Sequence, residues 1–173
     1  MGTPYKIIKI QPAVTAADNA DNDVIFDWTE IPNFSSGRGM AALLESVALM
    51  DRNDTGHGLA PSFDLYFCRG SYVNNTASAP TSAQRLGAAD AVVDITGAEA
   101  KAIEVCGHIN MTATEGDLLT GSVVTKSNIG LVLEPHPGST RIYVAGVYRF
   151  NPADTSTGSD ATDGLDFYFG FVG

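Results

Sequence analysis

Two stretches decide the fold: VVTKSNIGLVL at residues 123–133 and RIYVAGVYRF at residues 141–150. Both are apolar and rich in β-branched residues, and the Pro/Gly-containing EPHPGST at 134–140 joins them. Runs of this kind around such a loop predict an antiparallel hairpin. A third strand-like run, LDFYFGFV at 165–172, carries the chain to its end. No catalytic or cofactor motif stands beside these segments.

Further strands are expected upstream. Residues 5–14 alternate weakly and read as an edge strand or an N-terminal arm; the polar 15–23 that follows reads as an exposed link. Residues 24–28 form a short strand ended by Ile31-Pro32-Asn33, and Gly37-Arg38-Gly39 is a turn. Residues 40–51 fit either a helix or a strand with a bulge. The strand is preferred, because a hairpin with the strand at 62–69 is the simpler topology. Residues 70–89 lack any period and read as an excursion from the core that carries partner contacts. Thr96-Gly97-Ala98-Glu99 fits a capping box for a helix of a turn or two, ending near Ala102, before a β-like run at 103–112. Residues 151–163 are a second polar loop.

The expectation is an all-β fold: a single-domain antiparallel β-sandwich or jelly-roll-like domain of about eight strands, with one short helix near 97–102. Residues 1–23 are assigned to the N-terminal strand or arm and 24–173 to the sandwich.

Composition narrows the function. The 173 residues are 44% hydrophobic and 17% charged, with 18 glycines, as suits one globular core with many turns. The net charge of −10 and the scattering of the ten basic residues argue against nucleic acid, whose binding draws on clustered Lys and Arg. Acidity also disfavours anionic membranes. No run approaches the roughly 20 apolar residues of a membrane span, and residues 1–14 do not read as a signal peptide. Glycosylation sequons at Asn53, Asn74 and Asn110 carry little weight without one.

Candidate chemistry is sparse. Asp51-Arg52-Asn53-Asp54-Thr55-Gly56 opens like a calcium loop, but Ser62 stands where the closing carboxylate belongs, so an Asx-rich turn is the reading and no metal is assigned. His57, His108 and His136 lack metal-ligand spacing. Cys68 and Cys106 lie in apolar runs and read as buried free thiols; Cys106 and His108 read as a packed pair rather than a nucleophile and its base. Asp64 and Asp166 are the best candidates for paired acids of sugar hydrolysis, yet solvent-face carboxylates explain them better. The aromatics Tyr66, Phe67, Tyr143, Tyr148, Phe167, Tyr168 and Phe169 divide by alternation between a core and an outer face, where tyrosines serve as interface anchors. No catalytic residue and no cofactor is assigned.

Residues 24–33, the Gly37-Arg38-Gly39 turn with 43–51, the SFDLYF of 62–67, and 125–133 with 142–147 resemble small structural proteins of tailed bacteriophages, particularly marine and cyanobacterial ones. The resemblance covers roughly 24–150 in pieces. It implies a non-enzymatic virion component on the outer surface of the capsid: a decoration or cement protein that binds the major capsid protein as a homo-oligomer, a trimer suiting a three-fold position. A carbohydrate-binding jelly-roll module or fibre tip recognising a host glycan is the alternative.

Overall fold

A computed structural model of the chain describes residues 5–14, 22–51, 62–88, 91–111, 117–118, 121–149 and 165–173. The strands, in chain order, are β1 (Tyr5–Ile10), β2 (Val24–Ile31), β3 (Ala42–Asp51), β4 (Ser62–Cys68), β5 (Ser71–Val73), β6 (Thr76–Ser78), β7 (Val105–Met111), β8 (Asp117–Leu118), β9 (Gly121–Leu133), β10 (Ile142–Arg149) and β11 (Leu165–Val172). The one α-helix among the described residues is α1 (Gly97–Ala102).

Pairing is antiparallel and nested. β4 pairs with β7, β3 with β9, β2 with β10 and β1 with β11. Lateral pairing of β10 with β4 and of β11 with β3 closes two sheets, ordered β1-β11-β3-β9-β8 and β2-β10-β4-β7. A long hairpin rolled so that successive pairs fall in opposite sheets is a jelly roll. The all-β sandwich expected from the sequence is therefore present, with nine strands of the described residues in its two main sheets.

Two expected hairpins are not. β9 and β10 lie in different sheets, and so do β3 and β4. Residues 134–141 cross the end of the sandwich instead of turning back on one edge. Alternation specifies that a strand has an apolar face, and that face is satisfied equally by a neighbour in its own sheet or by a strand across the core. Here the second option wins, and the apolar residues of β9 and β10 meet between the sheets.

β11 forms the spine of that core. Phe167, Phe169 and Phe171 point inward with successive ring centroids 6.1 and 6.4 Å apart. Across the sandwich Phe26 meets Phe167 at 5.2 Å, Phe67 meets Phe169 at 6.1 Å, and Phe34 meets Phe171 edge-on at 5.0 Å. All six are buried, and burial stabilises by about 1.5–3 kcal/mol for each such ring. Gly146 leaves room for the Phe26 ring, where a Cβ would collide with it.

The strand at 42–51 carries a bulge at Glu45, between the Leu44 and Ser46 pairings. Leu44 and Val47 thus both reach the core although they are three residues apart. The bulge imitates helical spacing, which is why the segment reads ambiguously. α1 forms as expected: Thr96 Oγ1 accepts from the Glu99 N–H at 3.2 Å, and the Glu99 carboxylate accepts from the Thr96 N–H at 2.8 Å.

Residues 5–10 are the edge strand of the β1-β11-β3-β9 sheet, paired through their whole length with β11. The segment after β4 does not leave the body of the protein. The β5–β6 hairpin, a 3-10 turn at Ser82–Gln84 and α1 lead a chain that folds over the outside of the β2-β10-β4-β7 sheet. Leu86 packs there with Val24, Ala145 and Val147, and Ile103 with Cys68 and Tyr143.

Candidate functional site: two outer faces and a loop end

The two sheets have different outer surfaces. On the β2-β10-β4-β7 sheet, the outward residues between the sheet and residues 82–88 and 91–104 form small apolar clusters of their own. Trp28 Nε1 donates to the Gln84 carbonyl at 3.0 Å, and the Leu86 N–H donates to the Asp27 carboxylate at 2.9 Å, pinning the cover in place. That face is closed by the chain itself.

Beside this cover lies a polar cluster. Asp64, only 5% exposed, accepts from Asn110 Nδ2 at 2.9 Å, from His108 Nε2 at 3.2 Å and from Arg149 Nε. Arg149 also donates to the Tyr66 hydroxyl at 3.0 Å and to Asn22 Oδ1. Burial pushes the Asp64 carboxyl up, but the three donors and the guanidinium charge together outweigh it and hold the group below its ordinary value of 3.8. A carboxylate held this way stays ionised and is a poor proton donor. Its partners identify it as the anchor of a β4–β7–β10 crosslink.

Asp166 lies elsewhere. It sits on β11, on the outside of the opposite sheet, with Lys9 Nζ 2.7 Å from its carboxylate. Asp64 and Asp166 therefore point away from each other with both sheets between them, each sheet about 10 Å from the next. They do not form the pair that glycoside hydrolysis requires.

The remaining candidates are also dispersed. His136 is buried in the 134–141 loop, stacked on Tyr72 at 4.4 Å, its Nε2 3.1 Å from the Gly70 carbonyl oxygen. His108 is on the outer face with its ring against Tyr66 at 4.8 Å. Cys106 does not pack with it: a bulge between the Phe67 and Cys68 pairings leaves Cys106 packed on the main core. Both cysteines are free thiols that face opposite sides of their sheet, Cys68 buried as expected and Cys106 only partly so. Burial pushes Cys68 far up and Cys106 up to about 11. His57 and most of the calcium-like segment lie outside the described residues. Among the described residues, no three His, Cys, Asp or Glu side chains gather as a metal site.

The outside of the β1-β11-β3-β9 sheet is different again. Register aligns Tyr5, Val172, Leu43 and Val132 in one outward row and Ile7, Gly170, Ser46 and Ser127 in the next. Lys9, Tyr168, Ala48 and Thr125 follow, and Asp166, Met50 and Val123 complete the face. Ile7 is 65% exposed, Val132 62%, Tyr5 55% and Met50 38%. The polar tips are consumed within the face: the Tyr5 and Ser46 hydroxyls are 2.9 Å apart over Gly170, and Lys9 pairs with Asp166. Sequence reasoning missed this surface. Its signal was present in β3 and β11, which read as near-continuous apolar runs, the pattern of strands covered on both sides.

At one end of the sandwich the 32–41, 69–104 and 134–141 connections gather. The Gly39 N–H donates to the Ser139 carbonyl at 2.8 Å, joining two of them. Arg69 ties the end of β4 to Glu104 at 3.2 Å and to Glu134 at 3.5 Å. A polar groove of about 440 Å³ lies here between Arg38, Asn75, Thr76, Ser139 and Arg141.

No protein-family profile matches the chain, and no curated protein matches it in sequence.

Proposed function

We propose that this chain is a non-enzymatic virion subunit of a tailed bacteriophage: a decoration or cement protein that binds the outside of the major capsid shell and stabilises it. The observation that carries the reading is the contrast between the outer faces. One apolar sheet face is sealed by the chain's own excursion, while the other presents Ile7, Val132, Tyr5 and Met50 to its surroundings. A protein whose surfaces are its function needs a rigid scaffold and faces for neighbours, and a jelly roll crosslinked by Asp64–Arg149 and Lys9–Asp166 provides both. Residues 5–10 are engaged with β11, so contact with the shell falls to the loop end that carries Arg38 and Arg141. A closed homo-oligomer fits this role. Binding to assembled shell favours it over dissociated subunits by mass action.

The test compares DNA release from heads on heating or osmotic shock, with and without the protein. Release at a higher temperature with the protein bound is expected. Equal release temperatures remove the stabilising role.

The polar groove between Arg38 and Arg141 favours a second reading, a glycan-binding module at the virion surface. A glycan array, or a rise in melting temperature with a soluble sugar, distinguishes it; Arg38→Ala would then abolish the shift.

A further inference from the structure

We infer that the outer face of the β1-β11-β3-β9 sheet is the surface through which copies of this chain associate, a second copy being its occupant. This deepens the proposed reading by naming the self-association surface, and it leaves the loop end free for another partner.

Area is the first argument. Four strands spaced about 4.8 Å apart and four outward rows about 6.8 Å apart span roughly 19 by 27 Å. That is about 500 Å² on each copy and about 1,000 Å² for a pair, the size at which specific association becomes reasonable. Charge is the second. The protein carries a net charge of −10, so two copies meet with least repulsion through surfaces that add no uncompensated charge. In the aligned outward rows the charged residues are Lys9 and Asp166, and they neutralise each other at 2.7 Å. Glu45, the bulged residue, stands outside these rows.

Composition is the third. The most exposed side chains of the face are Ile7, Val132 and Tyr5, and the Tyr5 hydroxyl is turned inward onto Ser46. An aromatic ring whose polar tip is already satisfied, flanked by aliphatic residues, is the anchor chemistry of protein interfaces. The opposite sheet supplies an internal comparison: there the same kind of surface is covered by Leu86, Val93, Ile95 and Ile103.

The 173-residue protein is measured by native mass spectrometry and by light scattering after size exclusion, at roughly 100 µM, well above the micromolar end of standard interfaces. A discrete multiple of the monomer mass is expected, and Ile7→Lys and Val132→Glu should each return it to monomer with the melting transition retained. A monomeric wild type overturns the inference, as do folded variants that keep the oligomer. Oxidative footprinting guards against variants that fail to fold: Met50 should become protected as concentration rises, while Met40, exposed in the loop end, should not. Equal labelling of the two methionines at all concentrations overturns the inference as well. An oligomer that ignores heads ends the decoration reading alone, and a monomer that binds them ends this inference alone.

Discussion

Lys9 Nζ stands 2.7 Å from the carboxylate of Asp166, joining the edge strand β1 to its neighbour β11 on the outside of the sandwich. Asp166 is almost fully buried while Lys9 remains partly in water. Lys9→Ala should therefore cost about 1–2 kcal/mol, less than the 3–5 kcal/mol of breaking a fully buried pair. In an Asp166→Asn background the same change should cost close to nothing. Denaturant titration of the four proteins measures both costs, and equal costs in the two backgrounds would show that the pair does not hold β1.

The Asp64 carboxyl is held below its ordinary value of 3.8 in the folded protein, so its contribution is present above that pH and is lost as pH falls through the lower folded value. Asp64→Asn should melt lower than the wild type at neutral pH, and the gap should close in acid. Melting curves across the acidic range check this. A gap that stays constant in acid would mean that the cluster acts by shape and hydrogen bonding rather than by charge.

Gly146 faces the core beneath the Phe26 ring. Gly146→Ala should destabilise by about 1–3 kcal/mol, the usual cost of overpacking a close-packed interior. Gly146→Ala combined with Phe26→Leu should recover part of the loss. An alanine variant as stable as the wild type would contradict the packing described.

Burial disfavours the thiolate, pushing Cys106 up to about 11 and Cys68 further up. A disulfide reagent at neutral pH should label neither thiol quickly in the native protein and both after denaturation. Fast native labelling of either would show that its strand opens.

Much of the fold was legible in the residues. Alternation located the strands, and the Thr96/Glu99 box located α1 with its cap. The pairing was not legible, because the apolar side of β9, with Leu133 buried and Leu131 partly buried against the facing sheet, would read the same in a hairpin with β10. Nor was the role of residues 70–104: Leu86, Ile95 and Ile103 are spaced without period because each meets the sheet from an irregular chain. The apolar outer face escaped for a related reason. Ile7 and Val132 are 125 positions apart in the chain, and only the register through β11 and β3 brings their rows side by side.

Electron cryomicroscopy of heads carrying the protein tests the account most directly. Oligomers standing on the outer shell surface are expected, with the Arg38 and Arg141 end toward the shell and the Ile7/Val132 faces turned against one another. Heads with no such density, or isolated subunits whose Ile7/Val132 face lies open to solvent, would contradict it.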